Sequence, residues 1–181
     1  LDSIAGPRWQ VALNSYLPPD VRVLHSREAS EGFNAKSSAV ARVYGYYLFQ
    51  GSAVPPHLRR YCWRIGRRLA LDRLNRLASV VLGSHDFTTF AAAGDPSRSK
   101  VRRVDCSAFH PEGPMLVYRV AASSFVWKMV RSLVGTMVEY EAAGKSPEQL
   151  AEALAARRRE LAGSSAPAWG LFLERVLYDV R

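Results

Sequence analysis

Ala39-Val40-Ala41-Arg42-Val43-Tyr44-Gly45-Tyr46-Tyr47-Leu48-Phe49 is the stretch on which the fold turns. Valine and tyrosine favour a pleated backbone. Period-two alternation puts Val40, Arg42, Tyr44, Tyr46 and Leu48 on one face, and Ala41, Val43, Gly45, Tyr47 and Phe49 on the other. The stretch therefore reads as a strand, and Val54-Pro55-Pro56 ends it.

Working outward, the next segment reads as a basic helical stretch in which Arg60, Arg64, Arg67 and Arg68 share a face. Leu71, Leu74, Ala78 and Val81 continue it as an apolar stripe, with Gly83 as the C-terminal cap. Residues 91–100 are expected to form a polar, mobile loop. Residues 101–109 and 115–122 predict two antiparallel strands around His110-Pro111-Glu112-Gly113-Pro114. A helix follows over about 124–143, stopped by Gly144. Ser146-Pro147-Glu148-Gln149 opens another, with Ser146 as N-cap and proline at the first helical position, and Arg157-Arg158-Arg159 ends it. Residues 171–180 predict a last strand. Upstream, Pro18-Pro19-Asp20 precedes a short strand at 21–25. This order predicts an α+β fold, an antiparallel sheet with helices packed on one face.

At 181 residues, with 48% hydrophobic and 23% charged residues, the chain is a folded protein of one domain or two small ones. Its longest apolar runs are broken by Lys128, Arg131 and Glu139, which excludes a membrane span. Residues 1–6 have neither the basic nor the apolar region of a secretory signal, so a cytoplasmic location is expected. Cys62 and Cys106 read as reduced core cysteines, and the scattered His25, His57, His85 and His110 give no support for a metal. The net charge is +9, almost all of the excess arginine, since lysine stands only at Lys36, Lys100, Lys128 and Lys145. Arginine forks suit phosphate. A general preference for arginine explains the same excess without a partner, so charge alone leaves both readings open.

Arg131 lies in the most apolar run of the chain, 125–138. A guanidinium cannot be buried there without a partner, because desolvation costs several kcal/mol. At 100° per residue, Lys128, Arg131, Ser132, Gly135 and Glu139 share one narrow arc, which reads as the solvated face of an amphipathic helix. Gly135 resists that reading. It lies one turn from Arg131, costs about 1 kcal/mol against alanine, and lets another backbone or a ligand come close. Tyr44, Arg42 and Tyr46 read either as an aromatic ladder of the sheet or as a platform for an unstacked base. The Arg60 and Arg64 face and Arg157-Arg158-Arg159 serve equally as solvated surface or as phosphate contacts. No nucleophile elbow, HExxH motif or Gly-rich phosphate loop is present.

Several segments together resemble bacterial TruA-type tRNA pseudouridine synthases. They are Leu13-Asn14-Ser15-Tyr16-Leu17-Pro18-Pro19-Asp20-Val21-Arg22-Val23, Phe33-Asn34-Ala35-Lys36 and Ala41-Arg42-Val43-Tyr44-Gly45-Tyr46. The likeness continues through Gly83-Ser84-His85-Asp86-Phe87-Thr88-Thr89-Phe90, then 125–135, then Ala166-Pro167-Ala168-Trp169-Gly170-Leu171-Phe172-Leu173 and Val176-Leu177-Tyr178. The resemblance implies a ferredoxin-like half of a synthase that isomerises uridines 38–40 of the tRNA anticodon stem-loop, as a homodimer and with no cofactor or metal. It implies an aspartate nucleophile, a tyrosine packed on the target base, matched by Tyr44, and an arginine that holds the aspartate ionised, matched by Arg131. Substrate contacts are expected from Tyr44, Arg42, Tyr46, Gly135, Arg60 and Arg64. The family's nucleophile lies in a Gly-Arg-Thr-Asp-Ala-Gly-type segment, and none of Asp2, Asp20, Asp72, Asp86, Asp95, Asp105 or Asp179 has that setting. Gly45 also departs, standing where relatives often carry a basic residue. The chain thus reads as a C-terminal portion, inactive alone, with 1–32 the tail of a catalytic half and 33–181 an RNA-contacting domain. A stand-alone RNA-binding module without catalysis is the alternative.

Overall fold

The computed structural model describes residue 6 and residues 8–179. The chain divides into two compact units, 1–38 and 39–181. The first holds helix α1, Arg8–Asn14. Asn14 closes on Val23: its side-chain oxygen accepts the Val23 N–H at 2.8 Å and its amide donates to the Val23 carbonyl at 2.9 Å. The strand expected at 21–25 is not formed, because a side chain takes the backbone hydrogen bonds that a neighbouring strand would supply.

The second unit is an α+β fold built on a six-stranded sheet. Its strands are β1 (Ala39–Phe49), β2 (Trp63–Arg64), β3 (Gly83–Asp86), β4 (Val101–Glu112), β5 (Met115–Ala122) and β6 (Leu171–Tyr178). The order is β2-β1-β5-β4-β3, with β6 also paired to β1. All pairings are antiparallel except the two-residue match of β1 with β2. β1 thus has neighbours along both edges. Its inner half is buried on both faces, from Gly45 onward save a half-buried Tyr47. Gly113, at φ +54°, makes the turn between β4 and β5, a backbone state that glycine adopts without strain.

Helices α2 (Leu71–Ser79), α3 (Met129–Ala142) and α4 (Pro147–Ala155) pack on one face of the sheet. Leu74 and Leu77, Leu133 and Met137, and Leu150 and Leu154 meet Tyr46, Leu48, Tyr118 and Val120 in the main core. A smaller cluster of Phe49, Cys62, Met115 and Val117 lies apart from it. The N-terminus of α4 forms as its sequence indicates: Ser146 accepts from the Gln149 N–H, and the Gln149 side chain accepts from the Ser146 N–H.

Three local expectations change. The basic helix over Arg60, Arg64, Arg67 and Arg68 is absent. Pro56–Leu58 is a 3-10 turn, Trp63 and Arg64 pair with Leu48 and Phe49, and Gly66 bends the chain at φ +74°. Trp63 and Ile65 pack on the core while Arg64 is exposed, a period of two that overrides the helical spacing of the arginines. Gly83 opens β3 instead of capping α2, which ends at Ser79 with Val80 as its C-cap. Cys106 is exposed, so only Cys62 is a core thiol. No helix among the described residues is long and apolar enough to cross a membrane.

Candidate active site

Tyr44 sits halfway along β1, opposite Val120 of β5 and Leu173 of β6. The pairing with β6 slips here. Val43 faces Arg175 and Tyr44 faces Leu173, so Glu174 is an extra residue, a β-bulge beside the tyrosine. The Glu174 carboxylate lies over Gly45, accepting the Tyr47 hydroxyl at 2.7 Å and Arg119 Nε at 2.8 Å. A Cβ at position 45 would stand 2.3 Å from Glu174 Oε1, so only glycine admits this carboxylate. Arg119 also binds Glu112, and its hydrogen bonds hold both glutamates below the usual carboxylate range. An internal ion pair thus lies beside Gly45, the position that departs from the family's pattern.

On the core side of β1, the Tyr44 ring meets Phe125 edge-on, with centroids 5.0 Å apart. Tyr46 is fully buried and its hydroxyl donates to the Pro167 carbonyl at 2.8 Å. Burial pushes its phenol well up, against a smaller downward pull from nearby Arg131. Tyr46, expected among the substrate contacts, is a buried, hydrogen-bonded ring with no face open for stacking. Arg42 donates to the Ala39 and Ser123 carbonyls at 2.9 and 2.6 Å, which ties it to its own sheet.

Arg131 lies in the first turn of α3, which begins at Met129 because Lys128 takes a left-handed backbone, φ +63°. The arc read as solvated is covered. The segment 163–167 crosses it: Arg131 Nε donates to the Ala166 carbonyl at 2.7 Å, and the Ala166 N–H returns to the Arg131 carbonyl at 3.0 Å. The Gly163 N–H reaches Thr136 Oγ1 at 2.9 Å, and the Ser164 N–H reaches Glu139 at 3.0 Å. Ser132 and Gly135 are buried, Arg131 is half-buried, and only Lys128 and Glu139 stay exposed. Gly135 is closed over by this strap, since a Cβ there would sit 1.8 Å from the Ser164 carbonyl oxygen. The close approach at Gly135, expected from a backbone or a ligand, is made here by backbone. Among the described residues no carboxylate pairs with Arg131, and its two terminal nitrogens have no hydrogen-bond partner.

Loop 91–100 is hydrogen-bonded to Trp127, in the segment that leads into α3. Buried Asp95 accepts Lys100 Nζ at 2.6 Å, the Ser97 N–H at 2.9 Å and the Trp127 N–H at 2.5 Å, while the Ala92 N–H donates to the Trp127 carbonyl at 2.9 Å. Burial opposes the charge, but these donors outweigh it and hold the carboxyl well below its ordinary range. A depressed folded value contributes stability above the unfolded carboxyl value of about 3.9, lost as pH falls through the folded value. Asp95→Asn is therefore expected to lower the unfolding free energy at pH 7. The gap from wild type should narrow once the pH drops below about 4. Urea unfolding at pH 7 and pH 3 checks this, and a gap of equal size at both would rule out the charge as its source.

The structure thus brings Tyr46, Gly135 and Arg131 together around the strap, sets Tyr44 on β1 against Phe125, and leaves exposed Arg60 and Arg64 in the segment after β1. Sequence reasoning missed the strap and Phe125 as positioning elements. The signal was present in the small-residue run Ala162-Gly163-Ser164-Ser165-Ala166, which suits a chain laid flat over a helical glycine.

Residues 77–179 match the family model described as tRNA pseudouridine synthase. Curated relatives carry the name tRNA pseudouridine synthase A. That of Treponema denticola is 38% identical over 178 residues, covering 98% of this chain and 66% of its own length. The Moorella thermoacetica protein is 40% identical over 171 residues, covering 94% and 70%. The Bacillus pumilus protein is 37% identical over 177 residues, covering 98% and 72%. The chain spans about two thirds of the length of the curated relatives it matches.

Proposed function

The chain belongs to the tRNA pseudouridine synthase family, an isomerase family, and from that premise we propose that it carries the arginine and tyrosine side of a composite uridine-isomerising site. The observation that carries this reading is the state of Arg131. It is half-buried and anchored through Nε, and its terminal nitrogens have no partner among the described residues. An arginine held in this way is prepared for a carboxylate, and would keep it ionised. The aspartate nucleophile comes from residues outside the described ones, Tyr44 packs on the flipped uridine, and the base must leave its stack to be reached. The carboxylate oxygen adds to the flipped uridine, the N-glycosidic bond breaks, the base turns and rejoins C1′ through C5, the bond to the carboxylate is released, and the C5 proton is lost while N1 takes one up. In this reading the substrate is the anticodon stem-loop of tRNA, uridines 38–40, and the whole protein works in the cytoplasm as a homodimer. Residues 1–32 belong with the catalytic half and 33–181 contact the RNA. Arg42 is a backbone clamp that keeps the ends of the strands beside Tyr44, and Arg60 is an outlying phosphate contact.

The test is pseudouridine formation on unmodified tRNA by residues 1–181 and by the whole gene product. Turnover by the whole product alone is expected. Turnover by residues 1–181 would overturn the composite site, and none by either would overturn the activity.

A further inference from the structure

The connection from β1 to β2, β2 itself and Trp169 enclose a cleft of about 620 Å³, a volume in the range of small-molecule sites. It is lined by Trp63, Trp169, Arg59 and Arg64, with Ser52 and Val54 on the wall, and no carboxylate lines it. The two arginines are exposed, and neither has an ion-pair or hydrogen-bond partner for its side chain among the described residues. This distinguishes them from Arg67, Arg103, Arg119 and Arg157, which are paired to Glu141, Asp105, Glu174 and Asp86. Trp63 is held edge-on to buried Tyr46, 6.3 Å between centroids, while Trp169 is 55% exposed, a large apolar ring left in water. Two indoles beside two free guanidinium forks offer a flat surface for a base and charge for the phosphate next to it.

Trp169 is fixed in place. Gly170 brings its turn onto β1, where a Cβ would stand 2.9 Å from both the Tyr46 ring and the Tyr47 carbonyl. The same strap holds Arg131 through Ala166 and Tyr46 through Pro167. One continuous segment therefore sets both the arginine of the candidate active site and the tryptophan of the cleft.

We propose that this cleft takes one unpaired nucleotide of the RNA, its base on the indoles and its phosphate on Arg59 and Arg64, separate from the uridine at Tyr44. The proposal rests on RNA being the substrate. Its test uses residues 1–181 with two probes, a fluorescently labelled unmodified anticodon stem-loop and pentauridylate. Trp169→Ala is expected to weaken stem-loop binding about 5- to 100-fold. Arg59→Glu with Arg64→Glu should reduce the log–log salt slope by about 1 for each lost phosphate contact. Pentauridylate should shift the indole N–H resonances of Trp63 and Trp169 in the wild-type chain, a readout that needs no variant to fold. Stem-loop binding equal in wild type and variants, with unmoved indoles, overturns the cleft and leaves the proposed function standing. Indole shifts with pentauridylate but no stem-loop binding sustain the cleft as a nucleotide site and overturn the tRNA reading. No binding of either probe overturns both.

Discussion

Arg131→Ala in the whole gene product is expected to cut pseudouridine turnover by about 10²–10³-fold, the scale seen when one preorganised charge-stabilising group is removed from an active site. The half-burial of Arg131 and its Nε bond to Ala166 mean that little reorganisation is needed when a carboxylate arrives. KM for tRNA should change little, because the arginine acts on the nucleophile and not on the bulk of the RNA. The pH profile separates this from a packing effect. In the proposed composite site Arg131 would lower the pKa of the incoming carboxylate, so its loss should raise that value and move the acidic limb of kcat to higher pH. Arg131→Lys should recover part of the charge but not the geometry, because one ammonium cannot bind Ala166 and present a planar fork together. Unchanged kcat and an unmoved acidic limb in Arg131→Ala would remove Arg131 from the chemistry.

The parts of the fold legible in the sequence are those specified locally. The 39–49 strand, the 115–122 strand and the Ser146-Pro147 start of α4 carry their own periodicity or cap within a few residues. The failures are cases in which a remote segment decided. Helical spacing aligned Arg60, Arg64, Arg67 and Arg68, but Trp63 and Arg64 pair with Leu48 and Phe49, and Arg67 turns to Glu141 at 2.5 Å. The polar arc of α3 read as solvated because the spacing of a helix cannot say what lies on it. Its cover comes from 163–167, about thirty residues later, and the backbone atoms of that cover leave no side-chain signature beyond small residues. Tyr44 and Tyr46 had equal standing in the alternation, and it is remote groups, the Pro167 carbonyl, the Gly170 turn and Trp63, that close over Tyr46 while Tyr44 stays half-buried.

Gly135→Ala is the substitution that tests the strap, and the sign of its effect is decisive. On an open helix face alanine would gain about 1 kcal/mol over glycine. Here the new Cβ would meet the Ser164 oxygen at 1.8 Å and the Ser164 carbon and Ala166 nitrogen at 3.0 Å, all of them backbone atoms that cannot rotate away. Overpacking of this kind costs about 1–3 kcal/mol, and it must also overcome the helix gain. The strap can escape only by lifting from α3, which breaks the reciprocal bonds between Arg131 and Ala166 and the bond from Ser164 to Glu139. A net loss of up to about 2 kcal/mol in urea unfolding is expected, together with a fall in turnover through the loosened Arg131. Tyr46 gives a second reading, because its hydroxyl partner Pro167 lies on the same segment. Lifting the strap should therefore also change the environment of Trp63, which packs edge-on against Tyr46, and alter its fluorescence. A gain in stability near the value for an open helix face would mean that the strap does not lie on Gly135, and Arg131 would then lose the anchor that sets its geometry.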